Sequence, residues 1–378
     1  MLEGDSEMKI GILTLPLHTN YGGIIQVYAL QEFLRRRGHD VWIINRDHWI
    51  REQNLPSTDS EESSNGRRYA SVIESSASAE DKWINTKLFI DQHIGQHISS
   101  SNMAELHQND LEAIVVGSDQ IWRPEYVRHA LRTSMANVFL HFAEDWTVRR
   151  LAYAASFGTD RWELCREETE VCSRLAKRFD AVSVREASAV FFCREYLGVN
   201  AEQVLDPTML LDCSDYEELL DDFGKEEANS SVFSYMLDVT DDKMDAVGRI
   251  SNFIDFGVVD TGRAGDEGGS YSEVEISSVE SWLRSFRDAR YVVTDSFHGC
   301  VFSILFGKEF FIYGNSERGI ERFRSLLEIL GLRSRMILSA DEITEERLEE
   351  KIDWSHVSRR LEKEKFRSIN FLETSLSE

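Results

Sequence analysis

The chain of 378 residues is predicted to have an α/β fold with two Rossmann-like domains that face a cleft. Short, almost continuous apolar runs alternate with helical segments, and turns rich in glycine or polar residues follow the apolar runs. This alternation occurs twice, on either side of an acidic break at about 214–229. We therefore expect an N-terminal domain at 8–214, a C-terminal domain at 230–345 and a charged helical tail at 346–378.

The apolar runs read as strands buried on both faces, which is typical of parallel sheets covered by helices. In the first domain the predicted strands are 9–15, 41–45, 111–116, 150–155 and 181–184, with a helix at 25–37 and a last apolar pair, Val204-Leu205. In the second domain the strands are 231–237, 257–260, 291–293 and 310–313, and the helices are 242–253, 279–289, 298–306 and 320–330. The segment 54–81 is rich in Ser, Glu and Asp, and we expect a mobile insertion or lid there.

Composition excludes several classes of function. A formal net charge of -25 argues against nucleic acid and anionic membrane surfaces as partners. No apolar run reaches the length of about 18 residues that a membrane span needs, and no signal peptide is expected from the acidic start. The five cysteines include no CxxC pair, which favours a reducing cytoplasm, and no metal-ligand spacing is present. We expect neither a metal nor another cofactor.

Polar residues follow several predicted strands, where functional groups of parallel α/β sheets gather. Asn20, Gly22 and Gly23 follow the first strand, and glycine permits close approach of a ligand to the backbone. An ordinary tight turn is the alternative.

Ser118, Asp119, Gln120 and Trp122 follow the strand at 111–116. A carboxylate beside a hydroxyl and an amide can act as a base or bind a sugar hydroxyl. The alternative is a helix N-cap, for which Ser and Asp are favoured residues.

Arg185 and Glu186 follow the strand at 181–184. The planar guanidinium of an arginine suits a phosphate or carboxylate, and an internal Arg–Glu ion pair is the alternative.

Ser296 and His298 follow the strand at 291–293. A histidine can exchange a proton near neutral pH, although it can equally be a core residue at a helix start. Asn315, Arg318 and Arg322 come later and either add polar and positive groups to the cleft or lie on solvated helix faces.

Six sequence blocks, in the order in which they occur along the chain, resemble those of the polysaccharide pyruvyl transferase family. The resemblance rests on KIGILTLPLHTNYGGIIQVYAL, VVGSDQIW, YAASFG, SVRE, VLDPT and VVTDSFHG, which run from about residue 9 to about residue 325 together with their flanks. It implies an architecture like that of GT-B glycosyltransferases. It also implies transfer of a pyruvyl group from phosphoenolpyruvate to saccharide hydroxyls, forming a ketal, without a required metal.

The resemblance also assigns roles to individual residues. Asp119 matches an acidic position near the active site of the family, His298 matches its proposed catalytic histidine, and Arg185 matches an arginine that binds phosphoenolpyruvate. The resemblance thus implies catalytic roles for His298 and Asp119. Some members have an arginine at the position of Ser296, so Arg318 or Arg322 must replace its charge here, or the donor differs. The predicted site has these donor-binding and acceptor-binding residues: Arg185, Ser296, Arg318, Gly22 and Gly23 for the donor, and Asn20, Ser118, Gln120 and Trp122 for the acceptor.

The resulting hypothesis is a bacterial cytoplasmic transferase that acts on a surface saccharide or on its lipid-linked precursor. One alternative is a glycosyltransferase of the same architecture that uses a nucleotide sugar. Another is a sugar-binding module without catalysis, although strand-end acid, base and arginine residues together exceed what binding alone requires.

Overall fold

The computed structural model describes residues 7–18, 20–45, 77–99, 110–131, 133–220, 231–255, 257–260, 271–273, 278–315 and 319–377. The chain divides into two compact units, one of Met1–Leu210 with Lys365–Glu378 and the other of Leu211–Glu364. Most of the predicted insertion at 54–81 lies outside the described residues, as does Arg318. Residues 77–81 of that insertion belong to a helix.

Unit 1 contains a parallel sheet of seven strands in the order β3-β2-β1-β4-β5-β6-β7. The central strands are apolar runs, and every residue of β4 is buried, as expected for a sheet covered on both faces. Its strands are β1 Lys9–Leu13, β2 Asp40–Asn45, β3 His97–Ser99, β4 Ala113–Gly117, β5 Arg149–Ala155, β6 Ala181–Val184 and β7 Glu202–Gln203.

The helices of unit 1 connect these strands. They are α1 Tyr21–Arg35, α2 Ala77–His93, α3 Pro124–His129, α4 Met135–Val138, α5 Arg166–Ala176 and α6 Ala187–Phe192. Helix α1 begins four residues earlier than predicted, because the Asn20 side chain accepts a hydrogen bond from the Gly23 N–H and caps it. Gly22 and Gly23 therefore form the first turn of a helix instead of a loop.

Unit 2 contains a second parallel sheet, of six strands in the order β10-β9-β8-β11-β12-β13. Its strands are β8 Val232–Tyr235, β9 Val258–Asp260, β10 Tyr271–Glu273, β11 Tyr291–Thr294, β12 Glu309–Tyr313 and β13 Met336–Ile337. Its helices are α7 Cys213–Glu218, α8 Asp241–Ile254, α9 Val279–Asp288, α10 Phe297–Leu305, α11 Ile320–Leu330 and α12 Glu345–Glu349. The last helix, α13 Trp354–Ser377, begins in unit 2 and ends in unit 1.

Both sheets have the strand order of a Rossmann fold. The first strand lies in the middle, the next two are added on one side of it, and the later strands are added on the other side, so the order reverses once. The reversal lies between β1 and β4 in unit 1 and between β8 and β11 in unit 2. The predicted α/β class with two Rossmann-like domains is confirmed. Among the helices of the described ranges, none is both long and apolar enough to cross a membrane.

Candidate active site

The carboxyl edge of the unit 1 sheet brings two predicted residues together. Asp119 follows β4 and Arg185 follows β6, and Arg185 Nη2 lies 3.2 Å from Asp119 Oδ1. Both side chains are buried, with 7% of the Asp119 side chain and 2% of the Arg185 side chain exposed. The contact joins residues 66 positions apart in the sequence, and it places a charged pair at an edge where parallel sheets bind ligands.

Asp206 is the third member of this cluster, and the sequence had supplied it only as part of the VLDPT segment. Its Oδ2 accepts a hydrogen bond from Arg185 Nη1 at 2.5 Å. Burial alone would lower the pKa of the Arg185 guanidinium, but the charges of Asp206 and Asp119 outweigh burial and raise this pKa above its usual value. Arg185 is therefore a permanent cation that two buried carboxylates already neutralise.

The predicted acceptor-binding residues Ser118 and Gln120 are buried and bonded to other parts of the protein. Ser118 Oγ lies 3.1 Å from the Ala154 carbonyl oxygen and 3.3 Å from Asp206 Oδ2, and Gln120 Oε1 accepts from Arg123 Nη1 at 3.0 Å. Neither Ser118 nor Asp119 caps a helix, because the next helix, α3, begins only at Pro124. The N-cap alternative is thus wrong for this segment.

Gln26 was missed by the sequence reasoning and connects the two strands at the reversal point of unit 1. It is 1% exposed, its Nε2 donates to Thr14 Oγ1 at 3.1 Å, and its Oε1 accepts from the Ser118 N–H at 3.3 Å. Thr14 follows β1 and Ser118 follows β4. Its only signal in the sequence is a polar residue between apolar neighbours, Ile25 and Val27, in the first half of the helix.

Two glycines let these turns approach one another. A Cβ at Gly117, whose φ is +156°, would lie 2.0 Å from the Tyr153 carbonyl oxygen. A Cβ at Gly158, whose φ is +69°, would lie 1.9 Å from Gln120 Oε1. Asp119 itself has a φ of 57°, in the left-handed region that few residues other than glycine adopt. The position of the Asp119 carboxylate thus depends on close packing with the turn that follows β5.

Glu186 holds that neighbouring turn. Its Oε1 accepts hydrogen bonds from the Phe157 N–H at 2.8 Å, the Gly158 N–H at 3.0 Å and the Ser156 hydroxyl at 3.0 Å. The Arg185–Glu186 ion pair considered from the sequence is replaced by the pairs of Arg185 with Asp119 and Asp206. Glu186 therefore shapes the backbone of the site.

Trp122 and Asn20 have structural positions. The Trp122 side chain is completely buried, stacks on Phe139 with ring centroids 4.7 Å apart, and donates its Nε1–H to the Val138 carbonyl oxygen. We therefore assign Trp122 to the core instead of acceptor binding. Asn20 is exposed and caps α1, so its amide oxygen is engaged by the helix.

In unit 2, Ser296 and His298 lie where β11 leads into α10. The Ser296 side chain accepts from the Gly299 N–H at 3.3 Å and caps α10, which leaves His298 in the first helical turn. His298 is 6% exposed, and its ring meets that of Phe297 edge-on, with centroids 5.4 Å apart. The predicted start of this helix at about residue 298 agrees with the structure to within one residue.

Arg322 lies beside the same turn. Its guanidinium carbon is 5.2 Å from the centroid of the Phe297 ring, and the residue is 6% exposed. Phe297 thus contacts both the Arg322 guanidinium and the His298 ring. This contact places a cation against the residue that follows Ser296, while Arg318 lies outside the described residues.

A buried ion pair supports the unit 2 turn, and nothing in the sequence indicated it. Lys243 Nζ donates to Asp295 Oδ2 at 2.7 Å, and the Asp295 carboxylate also accepts from the backbone N–H groups of Leu237 and Asp238. Asn315 joins this network by donating to Asp238 Oδ2 at 2.7 Å. The network ties the turn after β8 to the turn that carries Ser296.

No group of three or more His, Cys, Asp or Glu side chains within the described ranges has the arrangement to hold a metal ion. The carboxyl edge of the unit 1 sheet thus carries a buried carboxylate, Asp119, held by Arg185. The carboxyl edge of the unit 2 sheet carries His298 at the start of α10, with Arg322 packed against the adjacent Phe297.

Comparison with solved structures gives likenesses over nearly the whole chain. The UDP-GlcNAc 2-epimerase of Neisseria meningitidis, solved with UDP-GlcNAc, has a TM-score of 0.55 at 9% identity, over 98% of this chain and 99% of that chain. Arabidopsis thaliana UGT89C1, solved with quercetin, has a TM-score of 0.53 at 9% identity, over 98% and 100%. A glycosyltransferase of Rickettsia africae has a TM-score of 0.50 at 8% identity, over 98% and 96%. At such identities the likeness shows the fold alone, which is the GT-B-like architecture predicted from the sequence.

Sequence comparison is more specific. No curated protein sequence matches the chain. The model of the polysaccharide pyruvyl transferase family, however, matches residues 20–317, which include Asp119, Arg185, Asp206 and His298. A match over this much of the chain shows that the protein belongs to the polysaccharide pyruvyl transferase family.

Proposed function

We propose that this protein transfers a pyruvyl group from phosphoenolpyruvate to two hydroxyls of a saccharide, forming a ketal and releasing phosphate, during synthesis of a surface polysaccharide. Family membership supports a transferase with a saccharide acceptor. The proposal rests on the position of His298, which lies in the first turn of α10 at the reversal point of the unit 2 sheet. A proton-exchanging group at such a point is suited to acid–base chemistry.

The reaction sets clear chemical requirements. One hydroxyl oxygen bonds to C2 of phosphoenolpyruvate while C3, the methylene carbon, takes up a proton and becomes a methyl group. The C2–phosphate bond then breaks, and a second hydroxyl oxygen bonds to C2. The two hydroxyl protons released balance the proton taken up by C3 and the proton carried by phosphate. The enzyme therefore needs an acid, a group that accepts or orients hydroxyl protons, and cations for an anionic donor.

In our proposal the donor is held by residues of unit 2. His298 acts as the general acid, and Arg322 supplies the positive charge that some members place at the position of Ser296. The contact of Arg322 with Phe297, and of Phe297 with His298, supports this assignment. The backbone N–H groups at the start of α10 add a favourable dipole for an anion.

Asp119 is proposed to orient an acceptor hydroxyl and to accept its proton. The family resemblance implies a donor-binding role for Arg185, and this role stays a prediction. The pairing of Arg185 with Asp119 and Asp206 argues for a different use, because these three groups together carry a net charge of about -1 and repel an anion. We therefore propose that Arg185 orients Asp119.

The proposal is tested by incubating the purified protein with phosphoenolpyruvate and a panel of saccharides in deuterated water. Mass spectrometry should find acceptors that gain one pyruvyl ketal whose methyl group contains deuterium from the solvent, with one phosphate released per ketal. A parallel panel with nucleotide sugars tests the glycosyltransferase alternative. Glycosyl transfer without ketal formation, or binding without turnover of any donor, would contradict the proposal.

A matched pair of variants connects the activity to the site. His298→Gln should lose ketal formation, whereas His129→Gln, which changes an exposed histidine of α3, should retain it. Equal activity of both variants would remove His298 from the mechanism.

A further inference from the structure

The VLDPT segment contains a carboxylate that the proposed reaction leaves without a role. Asp206 is 1% exposed, and its side chain has no accessible surface. Its Oδ1 accepts from the Thr208 N–H at 3.0 Å and from the Thr208 hydroxyl at 2.6 Å. Its Oδ2 accepts from Arg185 at 2.5 Å and lies 3.3 Å from Ser118 Oγ. An ionised carboxylate has about four acceptor positions, so Asp206 is fully occupied by the protein and cannot contact a substrate.

What Asp206 does is determine the direction of Arg185. A guanidinium is planar and rigid, so fixing Nη1 on Asp206 also fixes where Nη2 points. Nη2 points at Asp119 Oδ1, at 3.2 Å. The shorter of the two contacts is the one to Asp206, which leaves the Asp119 carboxylate the more loosely held partner.

The backbone next to Asp206 is held by three separate elements of unit 1. The Leu205 N–H donates to Ser368 Oγ on α13 at 2.9 Å, and the Leu205 carbonyl oxygen accepts from the Tyr153 hydroxyl at 3.0 Å. The Val204 N–H donates to the Val184 carbonyl oxygen at 3.0 Å. Burial, and then the nearby charge of Asp206, raise the pKa of Tyr153 well above its usual value, so its hydroxyl remains a donor at physiological pH. The C-terminal helix thus helps to set the position of Asp206.

We propose that Asp206 is a positioning residue of the transfer reaction, which fixes Arg185 and through it the carboxylate of Asp119. The expected loss of rate rests on the proposed function. The expected displacement of Arg185 rests only on contacts within unit 1. Asparagine cannot replace Asp206, because its single oxygen can serve either Arg185 or Thr208, and its NH₂ group would face a donor on the other side.

A double-variant kinetic experiment separates positioning from general stability. Asp206→Asn should lower kcat per folded molecule by about 10²-fold, as expected for a reacting group displaced by about 1 Å. Asp119→Asn removes the proposed proton acceptor itself and should lower kcat by at least about 10²-fold. If Asp206 acts through Asp119, the double variant should be no slower than the slower single variant. Multiplying rate losses would overturn the proposal. Asp160→Asn, an exposed aspartate of the same unit, serves as the matched control and should keep the normal rate.

A second variant covers the case in which Asp206→Asn does not fold. Thr208→Val keeps the side-chain shape and removes the hydrogen bond from the Thr208 hydroxyl to Asp206 Oδ1. It should lower kcat less than Asp206→Asn does and again show no further loss in the Asp119→Asn background. A further loss in that background would count against the proposal.

Crystal structures give a readout that is independent of activity. Arg185 in the Asp206→Asn or Thr208→Val variant should move away from its present contact with Asp119, and an unmoved Arg185 would refute the positioning role. If the unsubstituted protein forms no ketal with any acceptor, the proposed function fails, while the displacement of Arg185 still decides whether Asp206 positions it.

Discussion

The buried ion pair between Lys243 and Asp295 provides a sharp test of how unit 2 holds its site. Asp295 is completely buried, 6% of the Lys243 side chain is exposed, and their charged atoms are 2.7 Å apart. Lys243→Met keeps an unbranched side chain of similar length and removes the ammonium group, with its charge and its hydrogen bonds to Asp295 Oδ2 and the Asp238 carbonyl oxygen. The Asp295 carboxylate then keeps two backbone donors, at 2.6 and 3.2 Å, but loses its cation.

The expected loss of stability follows from this burial. Breaking a buried ion pair by removing one partner costs about 3–5 kcal/mol, because an uncompensated charge stays in the interior. The two remaining backbone donors place the expected cost near the lower end, at about 3 kcal/mol. An exposed pair in the same protein is the control. Lys87 and Asp91 have side chains 53% and 55% exposed, and Lys87→Met should cost about 0–1 kcal/mol.

Urea denaturation of the unsubstituted protein, Lys243→Met and Lys87→Met measures these losses of stability. The double variant Lys243→Met/Asp295→Asn is measured in the same way. Replacing Asp295 by Asn removes the unpaired charge but turns its NH₂ group toward one of the two backbone donors. Because an uncompensated buried charge costs more than one lost hydrogen bond, the double variant should be more stable than Lys243→Met alone. The reasoning would be refuted if Lys243→Met cost no more than Lys87→Met, or if Asp295→Asn added its own full loss in the Lys243→Met background.

Three further predictions concern individual side chains. His298→Gln should leave the melting temperature unchanged and lower the rate of ketal formation by about 10²–10⁴-fold, whereas lowered melting with a normal rate per folded molecule would make His298 structural. Ser296→Ala removes the cap of α10 and should lower the free energy of unfolding by about 1 kcal/mol in urea titrations, while Ser296→Thr should retain most of it. Burial raises the pKa of both Cys172 and Cys193 to about 12, so iodoacetamide at mildly alkaline pH should modify the exposed Cys165 and spare these two, as peptide mass spectrometry can check; rapid labelling of Cys172 in the folded protein would contradict this.

The sequence located most of the helices and strands because both sheets are buried on both faces. The short apolar runs within strands such as β4, β5 and β11 stand out from the helical periods around them. The boundaries were less certain where local chemistry decides them. The cap formed by Asn20 extends α1 over Gly22 and Gly23, which the sequence alone places before the predicted helix at 25–37.

Candidate site residues could be found for a related reason. In parallel sheets the polar residue after each strand falls at one edge, so the order of strands along the chain predicts Asp119, Arg185 and His298 without knowledge of their contacts. Trp122 shows the limit of this approach. It lies two residues after Gln120 in the polar turn that follows β4, yet its own ring packs against Phe139 in the core.

By itself, then, the sequence determined the α/β class, the two successive sheets, the family resemblance and the residues at the strand ends. Only the tertiary structure decided their partners. Ser118 meets Asp206 across 88 positions of sequence, Arg185 meets Asp119 across 66, and Lys243 meets Asp295 across 52. Such pairs are invisible to local patterns, because which turns become neighbours depends on the lateral order of the strands, and a buried charge is stable only where that order brings its counter-charge within hydrogen-bonding distance.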